Sequence, residues 1–253
     1  MGKQVYISFI GPKGSGKNTC SSVLDGLIKS SYKELKFQDL MFAKKIKDVA
    51  SKTLGLPGSF FEARDLKDMP FKDFGHLSAL TPSGLVYTED ILKRVALEFG
   101  IEYDGPKRMD KHLDKEIESP RQFLKLVATE FLREYDPDIH TKKALELVED
   151  TSDIVSFTDL RFLSEFNAVK RAGGVKVIFA WVDNEVAMES LEKDIKNGVA
   201  HESESGVLDL RVLCSYTIDN NNPGHGNLEK QIKELGLLSE IIELNNNNYQ
   251  AIG

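Results

Sequence analysis

Nine consecutive residues near the start of the chain combine glycines with a lysine in a spacing that suits phosphate chemistry. They are Gly11-Pro12-Lys13-Gly14-Ser15-Gly16-Lys17-Asn18-Thr19, called the phosphate loop below. Glycines let backbone N–H groups turn toward phosphate oxygens, and the lysine neutralises phosphate charge. The phosphate loop therefore predicts a site for a nucleoside triphosphate, with ATP as the expected cofactor. Its predicted ATP contacts are Gly11, Lys13, Gly14, Ser15, Gly16, Lys17, Asn18 and Thr19.

The end of the phosphate loop departs from the usual pattern. The pattern G-x-x-x-x-G-K-[ST] is matched at Gly11, Gly16 and Lys17, but Asn18 stands where Ser or Thr supplies a hydroxyl ligand to Mg2+. Thr19 offers a hydroxyl one position later. We therefore expect Asn18 and Thr19 to hold Mg2+ mainly through water molecules and phosphate oxygens.

A second group of polar residues follows an apolar run in the second half of the chain. Asp159 and Arg161 come shortly after Ile154-Val155-Ser156-Phe157, which is typical of a buried strand. Ligands of open parallel sheets bind at the carboxyl ends of strands, so we expect both residues to belong to the site. The alternative is a surface cluster in which they pair with Glu165, one helical turn further on.

The elements around these residues have the order of an α/β protein. An apolar run at 5–10 predicts a strand before the phosphate loop, and apolar residues at helical spacing predict a helix over 17–30. Later, strands predicted at 154–157 and 175–181 flank a helix predicted at 163–172. This β-α-β order predicts a three-layer α/β/α fold with a mostly parallel sheet and right-handed crossovers.

The same patterns predict several further elements and two polar tails. The expected elements are strands at 36–38 and 216–218 and helices at 41–54, 88–99, 120–131, 140–149 and 227–237. The helix at 120–131 has Ser119 as its N-cap and Pro120 at its first position. The asparagine runs 220–222 and 245–248 are expected to be solvated loop and tail.

Composition divides the chain into three parts. Residues 1–58 form the first part of the core, and 119–253 form the second part. Between them, 59–118 mixes aromatic residues, Lys/Asp pairs and proline breaks, which predicts an inserted, mainly helical segment on the acceptor side. A polar stretch at 183–206 is expected to form a lid.

Charge and cysteine content exclude several classes of partner and site. A net charge of −7 argues against nucleic acid, which is bound by clustered Lys and Arg. Only two cysteines are present, far apart, so a disulfide framework or a zinc site is not expected. No apolar run reaches the ~20 residues of a membrane span, and no signal peptide is evident. We expect a cytoplasmic protein whose partners are small-molecule nucleotides, with no membrane partner.

Four segments of the chain together resemble a known family. These are the phosphate loop, the stretch from Ser119-Pro120 to Ala128-Thr129-Glu130, Asp159-Leu160-Arg161-Phe162 with Glu165, and His201-Glu202-Ser203-Glu204. They are similar to segments of the bacteriophage deoxynucleoside monophosphate kinases, which are P-loop nucleotide kinases, and the resemblance as a whole extends over about two thirds of the chain. The resemblance implies transfer of the ATP γ-phosphoryl group to a deoxynucleoside monophosphate (dNMP), giving ADP and a deoxynucleoside diphosphate. For a phage-encoded chain, the compartment is the host cytoplasm.

The resemblance also implies roles for individual residues. Lys17 would serve the ATP phosphates, Asp159 would orient the acceptor or a Mg2+-bound water, and Arg161 would meet the acceptor phosphate or sugar. The implied acceptor contacts are Arg121, Arg133, His140, Asp159, Arg161 and Glu165. Relatives place a base-stacking Trp near the position of His140. For Arg121 and Arg133, a solvated place at a helix end is the alternative.

Two other functions stay open at this stage. One is a P-loop kinase with a different small acceptor, of the dephospho-coenzyme A type, because the phosphate loop does not specify the acceptor. The other is a non-catalytic nucleotide-binding module, which Asn18 and the absence of arginine from 183–206 favour. Lys193, Lys196 and His201 are the basic residues of that stretch. The sequence leaves a homodimer open.

Overall fold

Seven strands occur in the described part of the computed structural model, which covers residues 4–73, 85–86, 88–105, 113, 116–173, 176–200 and 202–250. They are β1 (Val5–Ile10), β2 (Phe37–Leu40), β3 (Leu85–Val86), β4 (Glu116–Ile117), β5 (Ile154–Phe157), β6 (Val177–Asp183) and β7 (Tyr216–Asp219). Five of them form one parallel sheet, whereas β3 and β4 form a separate antiparallel pair.

Helices make up most of the remaining described chain. The α-helices are α1 (Lys17–Ser31), α2 (Lys44–Leu54), α3 (Ser59–Glu62), α4 (Arg64–Asp68), α5 (Glu89–Phe99), α6 (Pro120–Leu124), α7 (Arg133–Tyr135), α8 (Ile139–Leu145), α9 (Leu163–Gly173), α10 (Glu185–Lys196), α11 (Glu202–Ser205), α12 (His225–Glu234) and α13 (Leu237–Gln250). Short 3-10 helices span Phe71–Asp73 and Gly206–Leu213, and a π-helix spans Lys125–Leu132. No helix in the described part of the chain combines the length and the apolar character of a membrane span.

The strand order in the parallel sheet is β2-β5-β1-β6-β7. From β1 the chain crosses to β2 on one side, whereas from β5 it crosses over β1 to β6 on the other side. In such a sheet, a crevice forms at the carboxyl edge where the crossovers diverge, and ligands bind there. Because Ser8 pairs with Phe157, the segments that follow β1 and β5 leave this edge next to each other.

Helices cover both faces of the parallel sheet. Alternate residues of β1 point to opposite faces, and all six are buried. One face packs Ile7 and Phe9 against α1, α12 and α13, and the other packs Tyr6 and Ile10 against α9 and the 3-10 helix Gly206–Leu213. These layers confirm the predicted α/β/α fold class, and Trp181 in β6 is fully buried in the core.

The C-terminal region is more structured than the sequence predicts. The asparagine run at 245–248 continues α13, and Asn245 is buried. The apolar residues Leu237, Leu238 and Ile241 anchor this helix to the sheet, which outweighs the low helix propensity of asparagine. The expectation of an unstructured tail at 245–248 is therefore wrong, and the expectation of solvation is wrong at Asn245, whereas Asn246 and Asn247 are exposed.

The chain contains two compact units, and the second is Ala43–Lys143. It is wider than the insertion expected at 59–118, because α2 buries Ile46 and Val49 in the same cluster as Phe99 and Phe123. Ser119 caps α6 as predicted, since its Oγ accepts a hydrogen bond from Gln122 N at 3.3 Å. The first unit comprises Met1–Phe42 and Ala144–Gly253 and contains the parallel sheet.

Candidate functional site

The phosphate loop connects β1 to α1, and two of its glycines are required by their surroundings. A Cβ at Gly11 would lie 2.6 Å from the carbonyl oxygen of Val182 in β6. Gly16 has a φ of 99°, which side-chain-bearing residues rarely adopt. A Cβ at Gly16 would also collide with the amide of Asn220. The glycine spacing therefore reflects close backbone packing at the carboxyl edge of the sheet.

The N-terminus of α1 has the properties of an anion site. The helix begins at Lys17, directly after the loop, and no side chain caps its first N–H groups. Its first turn contains no acidic residue. The first N–H groups of the helix and the positive end of its dipole therefore both favour a phosphate at this position.

Among the cations of the site, Lys17 has the pKa that departs most from its ordinary value. Its side chain is only 9% exposed, and Nζ donates hydrogen bonds to the carbonyl oxygens of Gly11 at 2.9 Å and Pro12 at 2.7 Å. Burial lowers the pKa of Lys17 to about 8, the charge of Arg161 lowers it as well, and the charge of Asp159 opposes them. An ammonium held in a desolvated position interacts strongly with phosphate oxygens.

Asp159 and Arg161 lie close enough to Lys17 for their charges to act on the pKa of its ammonium. The Oδ1 atom of Asp159 accepts a hydrogen bond from Phe42 N at 2.9 Å, which links the ends of β2 and β5. Arg161 is about one-third exposed, and its Nη1 lies 3.9 Å from Oε1 of Glu204. The structure thus brings these two predicted residues to the phosphate loop.

Glu165 supports the segment that carries Arg161. Its side chain is buried, and Oε2 accepts hydrogen bonds from Arg161 N at 2.8 Å and Phe162 N at 3.1 Å. These are backbone groups at the start of α9, which need an acceptor because a helix leaves its first N–H groups without one. This contact with Arg161 is made to its backbone N–H group.

A second carboxylate joins the site at the end of β2. Oδ1 of Asp39 accepts a hydrogen bond from Ser21 Oγ at 3.0 Å, and Ser21 Oγ lies 2.8 Å from Ser156 Oγ in β5. Asp39 is exposed as a residue, and partial desolvation of its carboxyl group raises the pKa of that group. Sequence reasoning missed this group, although Asp39 directly after the strand predicted at 36–38 and Ser156 inside the apolar run 154–157 were the available signal.

Asn220 was also missed and lies directly against the phosphate loop. Its side chain is 5% exposed, and Nδ2 donates a hydrogen bond to the carbonyl oxygen of Ser15 at 2.7 Å. Its backbone N donates to Asp183 O at 2.8 Å. The expectation that 220–222 is solvated loop is therefore wrong at Asn220, because compositional bias does not show which asparagine turns inward.

Three residues of the phosphate loop are open to solvent. Lys13 and Gly14 are exposed, and so is Asn18 in the first turn of α1, whereas Thr19 is half-buried. No cluster of three or more His, Cys, Asp or Glu able to hold a metal occurs among the described residues. The donor set at this end of α1 is thus an amide and a hydroxyl, which suits Mg2+ that keeps most of its waters.

Three candidate acceptor contacts lie in the second unit. Arg121 is half-exposed and paired with Asp68, with Nη2 and Oδ2 3.0 Å apart. His140 is buried, its Nε2 lies 2.9 Å from the carbonyl oxygen of Ala128, and its ring meets Phe99 edge to face. Arg133 begins α7 and is half-buried. The roles of these three residues with an acceptor stay predictions.

The expected lid region contains an anchored helix. In α10, Ala187 and Leu191 are buried, whereas Lys193 and Lys196 are exposed. Asn184 caps this helix, since its Oδ1 accepts a hydrogen bond from Ala187 N at 2.9 Å. His201 lies outside the described residues. The two lysines are therefore available to solvent on a helix that is fixed to the core.

No protein-family model and no curated protein matches this chain. Among solved structures, a shikimate kinase from Acinetobacter baumannii in complex with shikimate is 13% identical, with 92% of this chain and 93% of that chain covered and a TM-score of 0.34. A gluconokinase from Sinorhizobium meliloti is 11% identical, with 99% of both chains covered and a TM-score of 0.37. A plasmid partition protein from Borrelia burgdorferi bound to AMPPNP is 14% identical, with 95% and 98% covered and a TM-score of 0.31. With such low TM-scores, the interpretation of the site rests on its own geometry.

Proposed function

We propose that this chain is an ATP-dependent phosphotransferase in which the phosphate loop binds the triphosphate. The observation that carries the proposal is the position of Lys17. It is a buried ammonium at the start of α1, beside Asp159 and Arg161, at the carboxyl edge of the sheet where the crossovers diverge. A site of this kind binds and neutralises a polyanion, which is the main requirement of phosphoryl transfer.

Each residue of the site has a part in this proposal. The N–H groups at the start of α1 and the ammonium of Lys17 would hold the β- and γ-phosphates. Arg161 would exchange its contact with Glu204 for an anionic oxygen of the acceptor or of the transferred group, because guanidinium binds phosphate oxygens in pairs. Asn18 and Thr19 would contact waters of Mg2+, which when bound neutralises charge on the phosphates.

The acceptor that we propose is a dNMP, on the basis of the family resemblance. A phosphate acceptor carries its own nucleophilic oxygen and needs no general base at neutral pH. The protein then has to position two anions and screen their charges, which calls for arginines. Arg121 and Arg133 are the proposed additional contacts, and Arg121 would release Asp68 to make one.

A specific observation favours a second candidate, which is a kinase with a hydroxyl acceptor. The raised pKa of Asp39 makes its carboxylate a better proton acceptor than an ordinary aspartate. A hydroxyl must lose its proton during phosphoryl transfer, whereas an ionised phosphate does not. Asp39 would then be the general base, and Ser21 and Ser156 would orient it.

Product analysis with a panel of acceptors separates the two candidates. The panel contains the four dNMPs and hydroxyl acceptors such as dephospho-coenzyme A and simple sugars, each with ATP and Mg2+. A dNMP kinase gives deoxynucleoside diphosphates, and Asp39→Asn leaves at least about a tenth of that turnover. A hydroxyl kinase gives a new phosphate ester, and Asp39→Asn reduces its formation by about 100-fold or more. If none of the four dNMPs is phosphorylated, the first candidate is ruled out.

A further inference from the structure

Asn220 follows β7, and hydrogen bonds that do not involve the phosphate loop fix its backbone. Asn220 N donates to Asp183 O at 2.8 Å, and Asn220 O accepts a hydrogen bond from Asn184 Nδ2 at 2.7 Å. Both partners belong to the segment that ends β6 and begins α10. Because these bonds fix the backbone of Asn220, its buried side chain has a defined position against the loop.

The side chain of Asn220 fits one peptide group of the loop closely. Nδ2 lies 2.7 Å from the carbonyl oxygen of Ser15. The same amide occupies the space beside Gly16, where a Cβ would lie 3.2 Å from Asn220 Cγ and closer still to Nδ2. Only a residue without a side chain can therefore stand at position 16 while this hydrogen bond exists. The amide orientation is set by its partner, because a carbonyl oxygen requires the NH2 group.

Planarity of the peptide bond connects this contact to phosphate binding. The carbonyl of Ser15 and the N–H of Gly16 belong to one trans peptide and point in opposite directions. Fixing the carbonyl oxygen toward Asn220 therefore directs the Gly16 N–H away from it. A loop that binds phosphate must turn N–H groups inward and carbonyls outward, and each outward carbonyl that is buried needs a donor.

Two further buried polar atoms lie next to this contact. Neither Ser15 Oγ nor Asn220 Oδ1 has a hydrogen-bond partner within the described ranges, although Ser15 is fully buried. Buried polar atoms without partners are uncommon and are found at binding sites. Both atoms adjoin the Ser15–Gly16 peptide, where the triphosphate is expected to bind.

We infer that Asn220 is a positioning residue, which holds the Ser15–Gly16 peptide in the orientation that binds phosphate. This inference rests on the proposed function of the phosphate loop. Asn220 acts through the Ser15 carbonyl and needs no contact with the nucleotide itself. The ligand class is a polyphosphate, so the effect of Asn220 should not depend on the nucleobase.

Binding of ATP and of inorganic triphosphate, measured by calorimetry on the full chain, tests the inference. In Asn220→Ala, the Ser15 carbonyl loses its buried donor, and we expect both ligands to bind at least about tenfold more weakly. Asn222→Ala is the matched control, because Asn222 lies two residues further on and is exposed. This variant should bind ATP and triphosphate as tightly as the wild type does. Weakened ATP binding with unchanged triphosphate binding would mean a base contact and would overturn the inference, as would no change in either.

A second variant remains informative if Asn220→Ala does not fold. Asn220→Asp keeps the size of the side chain, but its ionised carboxylate repels the Ser15 carbonyl and the phosphates. Protonation restores a donor, so the affinity of this variant for triphosphate relative to wild type should rise as the pH falls toward about 4. A ratio that is constant with pH would contradict the inference. If the wild type binds neither ligand, the proposed function fails, and the inference fails with it.

Discussion

The loop after β1 and the loop after β7 leave the same carboxyl edge of the sheet, but only the first carries a recognisable pattern. The phosphate loop has glycines and a lysine at fixed spacing, whereas the second loop begins with three asparagines. The structure joins them through the hydrogen bond from Asn220 Nδ2 to Ser15 O. A motif therefore identifies the groups that meet a ligand, but not the groups that hold the motif in shape.

The largest expected effect on ATP affinity comes from removing the positive charge of Lys17 in the phosphate loop. Lys17→Met replaces a buried ammonium with an apolar side chain of similar length, and we expect ATP affinity to fall at least about 30-fold. Thermal stability should change little, because removal of a buried charge with a lowered pKa offsets the loss of the hydrogen bonds to Gly11 O and Pro12 O. Calorimetric titration and thermal melts measure both quantities. Lys13→Met, at an exposed position of the same loop, should weaken ATP binding less.

The contact between the two loops is tested at Gly16. Gly16→Ala introduces a Cβ at a φ of 99° and into the Asn220 amide, and we expect it to destabilise the fold by about 1–3 kcal/mol. ATP affinity should fall as well, because Asn220 is displaced. Gly26→Ala is the control, since Gly26 lies exposed within α1 with open space around it. It should raise the free energy of unfolding by about 0.5–1 kcal/mol.

The charges around Lys17 predict how ATP binding depends on pH. The free protein has a Lys17 pKa of about 8, and bound phosphate raises this pKa because the ammonium then faces negative charge. Lys17 is protonated in both states below pH 8, so it adds no pH dependence there. Above pH 8, binding must take up a proton, and affinity should fall by up to about tenfold per pH unit.

Two substitutions shift this pH dependence in opposite directions. Asp159→Asn removes a negative charge that raises the Lys17 pKa, so the decline in affinity should begin at a lower pH. Arg161→Gln removes a positive charge that lowers the pKa, and the decline should begin at a higher pH. Titrations between pH 6 and about 10 measure the midpoints. Equal midpoints in all three proteins would contradict this account of the site.

The smallest effect on ATP affinity is expected from a substitution of Asn221, the neighbour of Asn220. Asn221 Oδ1 accepts a hydrogen bond from Glu185 N at 2.7 Å, at the first turn of α10 rather than at the phosphate loop. Asn221→Ala should lower the free energy of unfolding by about 1 kcal/mol, as the loss of a helix cap does. Its ATP affinity should match the wild type. A large loss of affinity would show that the second loop acts as a whole rather than through Asn220.

Local patterns were enough to predict the core of the fold. The strand, phosphate loop and helix at 5–31 and the β-α-β unit around α9 were predictable because burial on a parallel sheet produces continuous apolar runs. The position of Asp159 and Arg161 near Lys17 followed from the same reasoning, since both lie at a strand end. These strands, helices and strand-end positions are determined by residues that are close together in the sequence.

Contacts between distant residues were not predictable in this way. Asn220 meets Ser15 across 205 positions of sequence, and Ser21 meets Ser156 across 135. Asparagine and serine favour loops by propensity, so nothing local distinguishes a buried member from an exposed one. The helix α13 was missed for the same reason, because packing of Leu237 and Ile241 on the sheet decides its structure.

Acceptor-dependent ADP production is the most direct test of phosphoryl transfer at the phosphate loop. ADP release from ATP and Mg2+ is followed with each of the four dNMPs, for the wild type and for Lys17→Met. The account predicts turnover that requires one or more dNMPs and falls by about 100-fold or more in Lys17→Met. Turnover that Lys17→Met leaves unchanged would contradict the role of the loop, and ATP binding without any acceptor-dependent turnover would contradict phosphoryl transfer to a dNMP.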